Sequence, residues 1–241
     1  MWPEVVFFDV GHTLIYPTPS VGEVYASAMR DAGLECTPEE AEEAFGDAWR
    51  EQRRRHGSQK PAYGSTDADA WRWWRKIVKL SVEPFGEPDD FAELFDSLWQ
   101  YFANPDAWSV YEDVMPALER LERTGVRRGV ISNWDSRLDP ILKELGLWEH
   151  FESWTISSHE GVEKPNPAIF EAALRSMGVE PAQAVHVGDS YEEDILGARR
   201  MGMRAVWLLR DGQCAPPDPE CEMVNSLDDL FGSILPERPD N

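Results

Sequence analysis

Cysteines and long apolar runs are both scarce in this 241-residue sequence. No apolar run approaches the roughly 20 residues that a membrane-spanning helix requires, so no span is predicted. The segment MWPEVVFFDV has neither a basic region nor a small-residue cleavage site, so we expect no secretory signal peptide. Three cysteines without metal-binding spacing argue against a disulfide framework and predict a cytoplasmic protein, although Cys214 and Cys221 are near enough in sequence to pair.

Positive charge is also in short supply. The chain has 23 Lys and Arg against 45 Asp and Glu, a formal net charge of −22. Binding to nucleic acid requires clustered basic residues, and the one basic run, Arg53-Arg54-Arg55, lies in a Glu-rich helical segment and is interpreted as a solvated helix face. We therefore expect a small-molecule substrate, with neither nucleic acid nor membrane as a partner. The oligomeric state stays open.

The sequence does contain a regular alternation of strand and helix patterns. Short apolar segments bounded by Gly or polar residues predict buried parallel strands at Val5–Val10, Arg127–Ser132, Ser153–Ser157, Ala184–Val187 and Ala205–Leu209. Helical spacing of apolar residues predicts helices at residues 115–124, Asp135–Leu145, Pro167–Met177, Glu192–Met201 and, after a loop-like tail from Gln213, Ser226–Ile234. This alternation predicts a three-layer α/β domain with a parallel sheet.

The residues from about Ser20 to Ala103 show helical patterns and no convincing strand. Four helices are predicted there, at Val21–Ala32, from Thr37-Pro38 onward, at Asp67–Leu80 and at Asp89–Phe102. We therefore predict a core of residues 1–17 and 106–241 and a helical cap of residues 18–105. Ligands of parallel sheets bind beyond the carboxyl ends of the strands, so an insert leaving the first strand there would cover the site as a lid.

Substrate contacts are expected from this cap. Trp71, Trp73 and Trp74 are typical of a helix-bundle core, and the alternative is that at least one of them lines the substrate pocket. Three arginines are candidates for binding a substrate carboxylate or phosphate, namely Arg50, Arg72 and Arg75.

Four segments place polar or charged residues at or near the ends of predicted elements. They are FFDVGHTLI with Asp9, VISNWD with Ser132, GVEKPNPAIF with Lys164, and HVGDSYEEDILGA with Asp189 and Asp194. A carboxylate such as Asp9 at a strand end can attack phosphorus or carbon. Asp9 and Asp189 together offer the hard oxygen ligands that Mg²⁺ prefers, and a lysine would neutralise the charge that develops during the reaction.

These segments, in this order, resemble the four motifs of the haloacid dehalogenase superfamily, over nearly the whole chain. The phrases VISNWDSRL, KPNPAIF, HVGDSYEED and VGEVYASAMRDAGL are similar to its haloacid dehalogenase-like hydrolase domain-containing protein 3 group. The resemblance implies a Rossmann-like core with an all-helical C1-type cap, and a magnesium-dependent phosphatase that forms an aspartyl-phosphate. It implies Asp9 as nucleophile and metal ligand, Thr13, Ser132 and Asn133 as ligands of the transferring group, Lys164 as charge-neutralising lysine, Asp189 as metal ligand, and Asp194 as a ligand or a neighbour of the ligands.

One position departs from this pattern. The superfamily's phosphatases carry a general acid/base Asp two residues after the nucleophile, where this chain has Gly11. Glycine leaves only a backbone carbonyl, which can still serve the metal, and loss of a general acid costs about 10²–10⁴-fold in rate. His12 is the candidate to replace it in proton transfer, and the alternative is a turn residue that points away from the metal. Activated esters such as acyl or aryl phosphates would suffer least.

Gly11 also leaves other functions open. The superfamily's 2-haloacid dehalogenases lack this Asp too, and attack carbon without a metal, but they lack the paired aspartates seen here as Asp189 and Asp194. A phosphonoacetaldehyde-type hydrolase would need a cap lysine, for which Lys60, Lys76 and Lys79 qualify by position only. A non-catalytic binding protein with the same fold is the third alternative. The paired aspartates favour the phosphatase.

Overall fold

A six-stranded parallel sheet forms the centre of the computed structural model, which describes residues 3–56, 65–210 and 221–233. Eight strands are present in these residues: β1 (Val5–Phe8), β2 (Ile15–Pro17), β3 (Trp108–Val110), β4 (Arg127–Ser132), β5 (Ser153–Ile156), β6 (Ala184–Gly188), β7 (Arg204–Leu208) and β8 (Glu222–Val224). The sheet order is β5-β4-β1-β6-β7-β8, and β2 pairs with β3 in a separate antiparallel ribbon. The first strand therefore lies inside the sheet, between β4 and β6.

The sheet is buried on both faces because alternate side chains of β1 enter two different apolar clusters. Val6 and Phe8 pack in one cluster, whereas Val5 and Phe7 pack in the other, and all four are fully buried. This period-2 division is the pattern expected for a parallel strand covered by helices on both sides. The predicted three-layer α/β core is therefore confirmed.

Helices cover both faces of the sheet and also fill the stretch between β2 and β3. Nine regular helices lie in the part of the chain that the structure describes: α1 (Val21–Asp31), α2 (Pro38–His56), α3 (Asp67–Val82), α4 (Phe91–Tyr101), α5 (Val114–Thr124), α6 (Leu138–Glu144), α7 (Ser157–Glu160), α8 (Pro167–Met177) and α9 (Leu196–Arg200). A π-helical turn, Tyr191–Ile195, precedes α9. No described helix is long and apolar enough to cross a membrane.

Helices α1 to α4, here called the helical segment, form an apolar interior of their own. Its residues make two clusters separate from those of the sheet, one of them built around Tyr25 and Phe95. Local signals start the helices: Ser20 forms a capping box with Glu23, and the side chain of Thr66 accepts a hydrogen bond from the backbone N–H of Asp69. The predicted helical insert after the first strand is thus confirmed, while its limits at residues 18 and 105 stay a prediction.

Three short strands and one helix differ from the expectation. β2, β3 and β8 have three residues each, too few to give a periodic signal. The helix predicted at Ser226–Ile234 is wrong over its described part, which ends at Ser233. The structure has a 3₁₀ turn there, Leu227–Asp229, and then a short turn, Leu230–Ser233, broken by the non-helical backbone of Phe231 and Gly232. The tail after Gln213, with Cys214, lies outside the described residues up to 220.

Close packing across the sheet makes Gly129 of β4 sensitive to substitution. A Cβ added there would lie 2.7 Å from the Phe7 ring and 2.7 Å from Ser153 Oγ. We expect Gly129→Ala to lower the free energy of unfolding by about 1–3 kcal/mol, as overpacking does, in urea denaturation. Met223→Ala, on the exposed side of β8, is the control and should change it by less than about 0.5 kcal/mol. Equal effects of the two substitutions would refute this packing account.

Candidate active site

Three of the predicted site residues meet at the carboxyl edge of the sheet. Asp9 follows β1 directly, Ser132 ends β4 and Asp189 follows β6. Because β4, β1 and β6 are neighbours, their ends lie side by side. The backbone N–H of Asp9 donates to the Val187 carbonyl at 2.9 Å, which holds Asp9 against β6 beyond the end of β1.

Lys164 connects this edge to the π-helical turn. Its Nζ lies 2.7 Å from Asp9 Oδ1 and 2.6 Å from Asp194 Oδ1, and the side chain is only 2% exposed. Burial alone lowers the pKa of Lys164, but the charges of Asp194 and Asp9 outweigh it and raise that pKa above its usual value. The lysine is therefore a fixed positive charge between two carboxylates.

The backbone of Lys164 is held as firmly as its side chain. Asn133 Oδ1 accepts a hydrogen bond from the Lys164 N–H at 2.7 Å, and Asn133 Nδ2 donates to the Lys164 carbonyl at 3.0 Å. The same Nδ2 donates to Glu193 Oε2 at 3.1 Å. The amide of Asn133 thus joins the loop after β4 to the loop carrying Lys164, a task that sequence reasoning did not assign to it.

Asp9, Asp189 and Asp194 form a cluster that can hold a metal ion. One carboxylate oxygen of each lies within 4.8 Å of the others. Burial raises the pKa of Asp9 and, with the charges of Asp9 and Asp194, raises that of Asp189 well above its usual value. Among the described residues, three carboxylates thus lie close together beside one lysine. A divalent cation with hard oxygen ligands fits this donor set.

Asp194 is the most constrained member of the cluster. Its Oδ1 accepts from Lys164 and contacts His186 Nε2 at 2.8 Å, and its Oδ2 accepts from the Ser190 N–H at 2.9 Å. Burial raises the pKa of Asp194, but Lys164 and His186 outweigh burial and lower it below its usual value. With both oxygens already engaged, Asp194 fits the role of a neighbour that orients the ligands better than that of a direct ligand.

Two buried hydroxyls, that of Thr13 in the segment after Asp9 and that of Ser132 at the end of β4, have no partner among the described residues. Thr13 Oγ1 and Ser132 Oγ form no hydrogen bond with the described residues, although both side chains are at most 1% exposed. An unpaired buried hydroxyl costs about 1–3 kcal/mol. A bound oxyanion would recover this cost, since each hydroxyl can donate one hydrogen bond to it.

Gly11 and His12 form the turn after Asp9. His12 has φ of 54°, a left-handed conformation that is uncommon outside glycine, and its N–H donates to the Ile15 carbonyl at 2.8 Å. His12 lines the same cavity as Asp9 but is exposed to solvent. Partial desolvation lowers the pKa of His12, against the opposing charges of Asp9 and Glu42. A Cβ added at Gly11 would lie 3.2 Å from the Trp134 ring.

A cavity of about 490 Å³ lies between this edge and the helical segment. Asp9, Ser132 and Asp189 line one end of it. Its other walls are strongly aromatic and include six tryptophans, Trp49, Trp73, Trp74, Trp99, Trp108 and Trp134. Trp73 and Trp74 therefore belong to the pocket, whereas Trp71 is 40% exposed and does not line it.

The arginines proposed from the sequence do not line the cavity. Arg50 and Arg72 are exposed and pair with Asp47 and Asp69, and Arg75 lies over the ring of Trp71.

Arg53 and Arg137 line the cavity instead. Arg53 was interpreted as part of a solvated face, but it lies one helical turn after Trp49, which also lines the cavity. The i, i+4 spacing of Trp49 and Arg53 places both on one face of α2, and this is the sequence signal that links Arg53 to the cavity. Arg53 Nη1 lies 2.5 Å from Glu193 Oε1, and burial raises the pKa of Glu193 to about 7 despite this arginine.

The metal cluster yields a prediction for Asp189→Asn. The substitution removes one of three mutually repelling carboxylates, so the metal-free protein should gain about 1 kcal/mol of stability. The stabilisation that a divalent metal salt gives the wild type should fall at the same time. Thermal unfolding in EDTA and in millimolar metal salt measures both effects. Glu192→Gln, exposed in the same turn, is the control and should keep the metal response. A variant that keeps the full response contradicts the site.

Known proteins resemble this chain in sequence and in structure. The haloacid dehalogenase-like hydrolase model matches residues 3–202. Haloacid dehalogenase-like hydrolase domain-containing protein 3 of Danio rerio is 36% identical over 93% of both chains. Glyceraldehyde 3-phosphate phosphatase of Methanopyrus kandleri is 32% identical, over 86% of this chain and 84% of its own. A solved HAD phosphatase from Thermococcus onnurineus has a TM-score of 0.64 and 28% identity, over 94% and 95% of the two chains.

These similarities confirm the superfamily and the group that the motifs indicated. The matched region contains every predicted site residue, from Asp9 to Asp194. The chain belongs to the haloacid dehalogenase-like hydrolase family and is a hydrolase related to phosphatases.

Proposed function

We propose that this hydrolase is a magnesium-dependent phosphatase that acts on a small phosphorylated metabolite through an aspartyl-phosphate intermediate. The observation that carries the proposal is the contact of Lys164 with both Asp9 and Asp194, beside a third carboxylate at the carboxyl edge of the sheet. The relationship to a glyceraldehyde 3-phosphate phosphatase supports the same reaction class.

The residues divide the reaction between them. A carboxylate oxygen of Asp9 attacks phosphorus, the bond from phosphorus to the leaving oxygen breaks, and that oxygen departs with the electron pair. Ser132 and Thr13 donate their unpaired hydroxyls to the phosphoryl oxygens, and the Lys164 ammonium balances the charge there. Water then attacks phosphorus, the bond from phosphorus to the Asp9 oxygen breaks, and inorganic phosphate leaves with the Asp9 carboxylate restored. His12, which lines the same cavity, is the candidate to accept the proton of that water.

Magnesium would bind at the carboxylate cluster in this proposed reaction. Asp9 and Asp189 would hold it, with the Gly11 carbonyl as a further ligand and Asp194 as a ligand or, as its contacts favour, their orienting neighbour. When bound, the ion supplies positive charge to the transferring phosphoryl group. Asn133 keeps Lys164 in register with the cluster through its two hydrogen bonds to the lysine backbone. Asn133 also lines the cavity, so it stays a candidate for contacting the substrate.

Two alternatives are less well supported by the cavity. A 2-haloacid carries a carboxylate, but the two cavity arginines are paired with Glu193 and Asp135. A Schiff-base hydrolase needs a lysine in the cavity, and neither Lys76 nor Lys79 lines it, while Lys60 lies outside the described residues.

The proposed substrate and location follow the same reasoning. A pocket of this size takes a small molecule, and the acidic chain disfavours nucleic acid. Sparse cysteines favour the cytoplasm as the compartment.

Hydrolysis of p-nitrophenyl phosphate tests the proposal directly, because its leaving group needs little protonation. We expect turnover that requires magnesium, disappears in Asp9→Asn and persists in the exposed variant Asp228→Asn. Mass spectrometry of acid-quenched enzyme should find one phosphoryl group on Asp9. Chloride release from 2-chloropropionate without metal would instead establish the dehalogenase. No turnover of any phosphate ester, with metal binding intact, would establish the binding protein.

Gly11 gives a second prediction. Gly11→Asp alone should improve hydrolysis of alkyl phosphates by less than about tenfold, because the Trp134 ring obstructs the new side chain. Gly11→Asp with Trp134→Val should improve it by about 10² or more, the usual contribution of a general acid. Trp134→Val alone is the control. Failure of the double variant to exceed both single variants would contradict this role of Trp134.

A further inference from the structure

The cavity is larger and more apolar than a phosphoryl site alone requires. Its volume of about 490 Å³ lies in the range of pockets for whole organic ligands, about 300–1,000 Å³. Asp9 lies at one end, so most of this space is available to the group that leaves with the ester oxygen. The lining of that space therefore indicates what the leaving group is.

Aromatic rings dominate that lining, and two pairs of them are stacked. Phe45 and Trp74 have ring centroids 6.5 Å apart with planes 9° apart, and Phe45 and Trp49 have centroids 6.3 Å apart with planes 27° apart. Trp108 and Trp134 meet edge to face at 5.0 Å. Stacked and edge-to-face partners of this kind suit a flat aromatic ligand.

The charges of the lining disfavour an anionic leaving group. Arg53 contacts Glu193, and Arg137 contacts Asp135 and lies over Trp99. Both arginines among the described lining residues are thus already paired with carboxylates. A carboxylate or a second phosphate on the leaving group would therefore meet no arginine that is not already engaged with an acidic side chain.

Gly11, in place of a general acid, independently favours an aromatic leaving group. Without an acid at this position, the leaving oxygen departs with its negative charge. A phenolate delocalises that charge into its ring, whereas an alkoxide does not. An aryl ester therefore loses less than an alkyl ester from the absence of the acid, and an aryl group is also what the aromatic walls accommodate.

We propose that the substrate is a phosphate monoester of a phenol-like alcohol, with its uncharged ring held among the aromatic residues of the helical segment. This inference rests on the proposed phosphatase function. Asp9 Oδ forms the bond to phosphorus, the phosphorus–aryl oxygen bond breaks, and the phenolate leaves and takes its proton from water.

A series of four phosphate compounds separates this inference from the proposed function. Acetyl phosphate is activated but small, 2-naphthyl phosphate is aryl, n-octyl phosphate is apolar with a poor leaving group, and glyceraldehyde 3-phosphate is small and polar. We expect kcat/KM for 2-naphthyl phosphate to exceed that for glyceraldehyde 3-phosphate and n-octyl phosphate by at least tenfold. Turnover of acetyl phosphate with no such preference would overturn the inference and leave the phosphatase standing. Turnover of none of the four would overturn both.

A non-hydrolysable probe tests the ring site without turnover. Naphthylmethylphosphonate should quench tryptophan fluorescence and bind at least tenfold more tightly than methylphosphonate. Trp74→Ala should weaken binding of the naphthyl probe about tenfold. Trp71→Ala, in the same helix but outside the cavity, is the matched control and should bind like the wild type. Equal affinity for the two phosphonates, or equal loss in the two variants, would overturn the inference.

Discussion

A buried ammonium group between two carboxylates fixes the geometry of this molecule's site. Lys164 has almost no contact with solvent, so its charge is stable only while Asp9 and Asp194 stay within hydrogen-bonding distance. These partners come from β1 and from the turn after β6, and Asn133 anchors the lysine backbone to the loop after β4. Three separate loops are thereby tied to one point. The alignment of Asp9, the proposed nucleophile, with the other carboxylates follows from this single requirement.

The helical segment supplies what the sheet edge lacks. The edge provides charged groups, and the segment provides aromatic walls and Arg53, whose contact with Glu193 joins the two parts directly. Ser136 adds another link, since its N–H donates to Asp67 Oδ1 at 2.9 Å. These links hold the segment over Asp9. In the proposed reaction, the sheet edge therefore supplies the reacting groups and the helices supply the contacts to the leaving group.

Sequence patterns predict the core well and the pocket poorly. β4 and α8 have the predicted limits because burial on both faces of the sheet, and the Pro and Gly ends of α8, leave a strong local signal. Asp9, Lys164 and Asp189 could be identified because each stands beside a strand end or within a motif. The positioning role of Asn133 and the contact of Arg53 with Glu193 depend on packing between distant segments. The i, i+4 spacing of Trp49 and Arg53 indicates only that they share a helix face, not what that face contacts. The short strands β2 and β3 could not be predicted from the sequence, since three residues are too few to show an alternation of buried and exposed side chains.

The central claim is that Asp9 receives a phosphoryl group inside a cluster able to hold a divalent cation. A crystal structure with magnesium and beryllium fluoride, a mimic of aspartyl-phosphate, tests it most directly. The account predicts beryllium fluoride bonded to Asp9, within hydrogen-bonding distance of Ser132 and Lys164, and magnesium shared by Asp9 and Asp189. A structure in which Asp9 stays unmodified and magnesium binds elsewhere would contradict the account.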